Sequence, residues 1–319
     1  MVSYENACEL GKIPMIQFWS RTLREKKLNQ IPDFKTGCWL DVHSPNEEEL
    51  QQLEQRFQLD GGHLRDALDP NEVPRVERED EVLYLFLRVP FVKNEKLTTQ
   101  PLLFILAPKF FATISENDFA FLDRLGKRTD FYTTQKVKCL ILIYMDILKA
   151  FQNACNTIGR DFTAVRNRSE KINNKDILSL ISYEQLFNEL LGAIVPMNAS
   201  LESLLNGKIF PLFDEDRDLV EDLFLASGQI ILLANNRLLH IRNTREAYTT
   251  IMTNNLNRVM KLFTSLTVLL TLPTIVFSFY GMNVPLPFDS SSLAYFFIGT
   301  ITGVIVLSLI VVFAQQDWL

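Results

Sequence analysis

Two uncharged runs near the end of the chain limit what it can fold into. Leu262–Phe279 holds eighteen residues without a charged side chain, and Leu293–Phe313 holds twenty-one. About 18 apolar residues suffice for a helix to cross a ~30 Å hydrocarbon core. The two runs therefore predict a membrane hairpin over 262–319. Its first span covers 262–280, an external loop 281–292, and its second span 293–313, followed by a short tail. Tyr280-Gly281-Met282-Asn283 falls at the tip. Residues 1–261 read as a large soluble body serving this one hairpin.

Periodicity divides that body. Residues 1–133 read as a mixed α/β domain, a mixed sheet flanked by helices. Strands are predicted at Met15–Trp19, Cys38–Val42, Val82–Val92, Leu102–Leu106 and Phe110–Ile114, with a tight turn at Ala107-Pro108-Lys109. Ser44 reads as an N-cap, with Pro45 in the first turn and Glu47 completing a capping box. The helix it starts carries an apolar stripe of Leu50, Leu53 and Phe57. Further helices are predicted around His63–Leu68 and Asp118–Arg128. Residues 134–261 read as a helical stalk: helices over 135–171 and 174–206, broken at Asn173-Asn174 and Asn206-Gly207, and a third from Asp214. Pro196 should kink the second. The third meets no proline before Pro273. Its core-facing stripe is Leu219, Leu223, Ile230, Leu233 and Leu238. Run on to Phe279, it is one helix on the order of 100 Å long at ~1.5 Å per residue.

Charge orients the hairpin. Arg237, Arg242, Arg245, Arg258 and Lys261 precede the first span, and the loop 281–292 has no Lys or Arg. By the positive-inside rule the large body is cytoplasmic and the loop external. The tail, with Trp318 as an interfacial anchor, returns to the cytoplasm, so both termini lie inside. Met1–Ser20 lacks the basic-then-apolar pattern of a signal peptide. The net charge of -6 gives no reason to expect nucleic acid. Cys8, Cys38, Cys139 and Cys155 have no CxxC spacing and read as reduced and structural. His43, His63 and His240 are scattered and read as structural residues. No nucleophile–base pair, phosphate-cradling glycine loop or metal-ligand spacing points to an enzyme.

Tyr280-Gly281-Met282-Asn283, at the end of the first of two terminal spans and after a very long helix, resembles the CorA family of magnesium channels. Asn257-Arg258-Val259-Met260-Lys261 resembles that family's stretch at the cytoplasmic mouth of the pore. Leu68–Glu77, ending Pro74-Arg75-Val76-Glu77, resembles a segment of its soluble domain. Pro196 and the terminal Trp318-Leu319 match the family as well. The resemblance implies an α+β membrane protein assembled as a homopentameric funnel, in the plasma membrane. The first span of each subunit would line a central pore, and the second would form an outer ring.

A single hairpin cannot enclose water, so a channel requires oligomerisation and a polar stripe on the first span. Glu246, Thr250, Thr253, Asn257, Met260, Thr264, Val268, Thr271, Ile275 and Ser278 recur three or four apart. This stripe has two readings: pore lining, or hydroxyls that bond back to the helix and glue helices together. The loop motif favours the first. Mg²⁺ dehydrates reluctantly and needs near-octahedral oxygen coordination. Neutral amides and hydroxyls can hold its water shell. That suits Asn283 at the outer mouth, Thr264 and Thr271 midway and Asn257 near the inner mouth. Met260 and Val268 would be constrictions that close by dewetting, and Glu246 would form a ring attracting cations. Gly281, Met282 and Asn283 together read as the selectivity filter, in which Gly281 gives the loop its sharp turn and Met282 packs the loop rather than touching the ion. The acid-poor loop holds only Asp289.

Asp214–Asp222 puts six acids and one base in nine residues. Asp214–Asp218 read as an acidic first turn that satisfies the helix dipole. The resemblance implies that Asp222 binds regulatory Mg²⁺ with Asp66 of a neighbouring subunit. Arg65 stands where the family often has a second acid. Mg²⁺ would then be both transported and regulatory. Two alternatives remain: a Zn²⁺, Co²⁺ or Ni²⁺ transporter of the same superfamily, and a non-transporting membrane-anchored scaffold or sensor. Met282 and the scarcity of histidine argue against zinc export.

Overall fold

In the computed structural model the described residues are 16–93, 96–168, 173–207, 212–284 and 293–318. The chain forms two compact units. One takes residues up to 170 together with 178–242, and the other takes 171–177 and 243–319.

Among the described residues the first unit is built on a sheet of seven strands: β1 (Ile16–Ser20), β2 (Asn29–Ile31), β3 (Trp39–His43), β4 (Arg75–Glu79), β5 (Val82–Lys93), β6 (Lys96–Leu106) and β7 (Phe111–Ser115). Their order is β2-β1-β3-β7-β6-β5-β4. Only β3 and β7 pair parallel, in register Leu40↔Ala112, while the other neighbours pair antiparallel. The β6–β7 turn falls where the sequence placed it, with the Ala107 N–H donating to Phe110 O. Alternation sends side chains to two faces. Leu40, Val42, Tyr84, Phe86, Leu103, Ile105, Ala112 and Ile114 meet Leu50, Leu53 and Leu64 on one face. These last come from α1 (Glu47–Phe57) and α2 (Gly61–Asp66). On the other face Phe111 stacks on Trp39 and Phe104, with Phe131 edge-on. Short α3 (Ala120–Leu125) follows β7.

The start of α1 differs from the sequence reading. The cap is Asn46, not Ser44. Its side chain accepts the Glu49 N–H, and Glu49 reaches back to the Asn46 N–H. Ser44 has φ 44°, in the left-handed region, whereas an N-cap needs extended backbone. β2 and β4 were not predicted: three residues in one and five largely charged residues in the other carry no apolar alternation.

Three long helices follow: α4 (Lys136–Arg168), α5 (Asn174–Leu205) and α6 (Asp214–Tyr280). α4 lies against β5 and β6. Its buried Tyr144 donates to Met197 O of α5. Glu189 of α5 accepts the Thr99 N–H of β6 at 2.7 Å. α5 continues through Pro196. Within the first unit α6 buries Val220, Leu223, Ile230, Ala234, Leu238 and Ile241. Of the predicted stripe, Leu223, Ile230 and Leu238 are buried, Leu233 is half-buried and Leu219 is 40 % exposed. Cys38, Cys139 and Cys155 are buried free thiols. Burial raises the Cys139 thiol well above its usual range and the Cys155 thiol to about 11. Cys8 lies outside the described residues.

The second unit holds the rest of α6, which runs through Pro273, and α7 (Ala294–Gln315). α6 is 67 residues long and α7 is 22. Both contain windows long and apolar enough to cross a membrane, and those windows are almost wholly uncovered in the single chain.

Candidate functional site

All ten residues of the predicted stripe, Glu246 to Ser278, lie on α6. Helical spacing of three and four puts them on one face. Two of its hydroxyls are spent on the helix. Thr250 Oγ1 donates to Glu246 O at 2.9 Å and Thr253 Oγ1 to Thr249 O at 3.0 Å, as Ser and Thr commonly do. Off the stripe, Thr267 and Thr274 also bond back, to Phe263 O and Leu270 O. Thr264 and Thr271, the stripe's threonines within the span, make no such bond among the described residues. Their side chains are exposed, as are those of Asn257, Met260, Ile275 and Ser278, while Val268 is half-buried.

At the tip, the Gly281 N–H donates to Phe277 O at 2.9 Å. A Cβ on Gly281 would stand 3.2 Å from that same oxygen. Close approach of backbone to backbone, rather than a left-handed φ, calls for glycine here. Met282 is 53 % exposed and Asn283 is exposed. Residues 285–292, with Asp289, lie outside the described residues.

The other end of the hairpin is closed by the tail. Ser265 is fully buried, its hydroxyl donating to Leu262 O and lying 3.5 Å from Trp318 O. The Trp318 ring stacks on Phe313, and Lys261 Nζ lies 6.0 Å from its centroid. The tail thus returns to the turn of α6 that carries the last cation before the span.

The two acids proposed for regulation sit in the first unit. Asp66 ends α2 and is not free: Arg75 Nη2 donates to its Oδ2 at 2.8 Å. Arg75 also pairs with Glu72 and Glu77 and stacks over Phe86 at 3.9 Å. No spacing along the sequence announces this clamp, because the charged strand β4 carries no apolar alternation. Arg65, in the place of a second acid, bonds Glu47 and the Gly61 carbonyl. Asp222 is exposed on α6. It lines an open, mostly apolar groove of about 450 Å³ with Ile141, Met145, Leu219, Leu223 and Ile230. Nearby, partial burial and neighbouring Glu215 hold the Asp216 carboxyl above its ordinary range, against the pull of Lys138. Both Asp66 and Asp222 offer the hard oxygens that Mg²⁺ prefers, so the donor chemistry fits the ion, with Arg75 as its competitor for Asp66.

An α/β body and three long helices, the last ending in an apolar window and followed by the apolar α7, give the architecture of a membrane protein with two terminal spans. Residues 34–314 match the family described as CorA-like Mg²⁺ transporter protein, and the chain belongs to that family, whose members are ion transporters and not enzymes. It is 25 % identical over 310 residues to the cobalt/magnesium transport protein CorA of Methanocaldococcus jannaschii, covering 92 % of this chain and 96 % of that one. The complete structure of the CorA magnesium transporter from the same organism superposes with a TM-score of 0.82 at 16 % identity, over 96 % of this chain and 99 % of the other. The ZntB cytoplasmic domain from Vibrio parahaemolyticus superposes with a TM-score of 0.63 at 9 % identity, over 75 % of this chain and 98 % of that domain, a likeness of fold alone.

Proposed function

We propose that the chain forms a homopentameric channel for Mg²⁺ uptake across the plasma membrane, with both termini cytoplasmic. The observation that carries this reading is the exposed stripe of α6, on which Thr264 and Thr271 keep hydroxyls that neighbouring threonines spend on the helix. Five copies around an axis turn that stripe into rings. Hydroxyl and amide rings exchange hydrogen bonds with a hydrated ion without stripping its shell. Asn283 forms the outer ring, with Gly281 and Met282 holding the tip; Asn257 and Glu246 lie toward the cytoplasm, and Met260 and Val268 form apolar constrictions. The open apolar groove that includes Asp222 supports a surface covered by a second copy.

Gating follows from the same acids. High cytosolic Mg²⁺ bridges Asp66 and Asp222 of neighbouring subunits and holds a closed ring. Its loss leaves like charges facing one another, and the ring loosens. Asp222→Lys should make uptake insensitive to internal Mg²⁺; unchanged inhibition removes Asp222 from the gate. The name of the archaeal relative supports Co²⁺ as a second cargo. Liposome flux with ion competition, on the native chain and on Asn283→Ala, tests the whole reading. A channel gives Mg²⁺ flux that the substitution greatly reduces. No flux from the native chain would identify a scaffold, and equal flux from both would remove the Asn283 ring.

A further inference from the structure

Folding gathers a cluster that no sequence spacing announces. Strand alternation sends Arg75, Glu77 and Glu79 of edge strand β4 to one face. Their cross-strand partners on β5 are Phe86, Tyr84 and Val82. α2 lies over this face with His63 at its centre, 4.6 Å from the Tyr84 ring and 5.7 Å from Phe86. Asp60 caps α2: its Oδ1 accepts the His63 N–H, and its own N–H donates to Tyr84 Oη. One ligand atom each from Asp60, His63 and Glu79 lie within 4.8 Å of one another.

His63 is 8 % exposed, and its Nε2 is buried without a hydrogen-bond partner among the described residues. That nitrogen is nevertheless aimed at carboxylates, 3.3 Å from Glu77 Oε2 and 3.4 Å from Glu79 Oε1. The distances are those of an ion pair, but the alignment is not that of a hydrogen bond. They match the edge of a metal tetrahedron instead. Zinc bonds of ~2.0–2.2 Å to nitrogen and oxygen, opened to a tetrahedral angle, set neighbouring ligands about 3.3–3.5 Å apart. Octahedral Mg²⁺ at ~2.0–2.1 Å needs about 2.9 Å. Charge points the same way. Arg75, a cation beside the cluster, is divided among Asp66, Glu72 and Glu77. Because it holds Glu77 through Oε1, Oε2 is left toward His63, the outer-shell orientation common at metal ligands.

We propose that Asp60, His63 and Glu79, completed by Glu77 or water, form a binding site for a divalent transition ion of the Zn²⁺ class. Imidazole with carboxylates suits such ions better than Mg²⁺. The inference does not rest on which ion crosses the membrane.

The test is calorimetric titration of the full-length, detergent-solubilised protein with ZnCl₂ in excess MgCl₂. The native chain takes up one Zn²⁺ per chain that Mg²⁺ does not displace. Loss of an outer-shell partner already weakens a metal site about 10–100-fold, so His63→Gln, which removes a direct ligand, weakens this one by about 100-fold or more. Glu79 is half exposed on an edge strand, so Glu79→Gln leaves the core untouched and carries the test if His63→Gln fails to fold. X-ray absorption at the zinc edge should show imidazole nitrogen and oxygen. Tight binding that survives Glu79→Gln, displacement by Mg²⁺, or sulfur in the zinc shell would each overturn the proposal.

Discussion

Thr113 holds a buried chain of polar groups together, and replacing it with valine measures what that chain contributes. Thr113 is wholly buried on β7, beside β3. Its hydroxyl accepts from Trp39 Nε1 at 2.8 Å and donates to Asp41 Oδ1 at 2.7 Å. Asp41 Oδ2 in turn lies 2.9 Å from His43 Nε2. Valine keeps the shape and removes both bonds, leaving a buried indole donor and one oxygen of a buried carboxylate unpaired. Each such orphan costs about 1–3 kcal/mol. Asp41 keeps His43, so the expected total is about 3 kcal/mol, from the lower half of that range. In a body of this size each kcal/mol moves Tm by about 2–4 °C, so Thr113→Val should lower Tm by roughly 6–12 °C. Near-ultraviolet circular dichroism of the solubilised protein, which senses Trp39, is the assay. Thr113→Ser keeps the hydroxyl and is the control. If Thr113→Val leaves Tm unchanged, or lowers it less than Thr113→Ser, which loses only the γ-methyl, the polar chain contributes nothing of this size.

The same chain has a pH signature. Burial pulls the His43 imidazole down, but the hydrogen bond and charge of Asp41, with Asp118, win and leave it above its ordinary value. A raised histidine stabilises the fold fully below the unfolded value of about 6.5, and this is lost as pH rises through the folded value. The Tm difference between the native chain and His43→Gln should therefore shrink as pH rises above about 6.5; a widening difference would reverse the sign of the coupling. Arg75→Met keeps a long stem on Phe86 while releasing Asp66. Exposed pairs contribute about 0–1 kcal/mol, so internal Mg²⁺ should inhibit uptake at concentrations up to about fivefold lower. A shift to higher concentrations would show that Arg75 assists Asp66 rather than competing with it.

The sequence alone determined the parts whose signal is local and long. Two uncharged runs specify spans wherever they are placed, since their length and apolarity are sufficient. A helical period with no proline before Pro273 was enough to predict α6, and Tyr280–Asn283 took its meaning from lying between the spans. Strands β5 to β7 were legible because they are apolar and buried. What depends on distant partners was not legible. Asn46 caps α1 because Ser44 turns left-handed where β3 ends, which no spacing reveals. β4 is a charged edge strand that exists through its ladder with β5. Only that ladder sets Arg75 against Asp66 and brings Glu77 and Glu79 to His63, about fifteen residues earlier in the chain. The sequence presented that histidine as an isolated structural residue. Pairing across a sheet edge under a short helix made it the centre of a carboxylate cluster, because a ligand set is defined by proximity in space rather than by spacing along the chain.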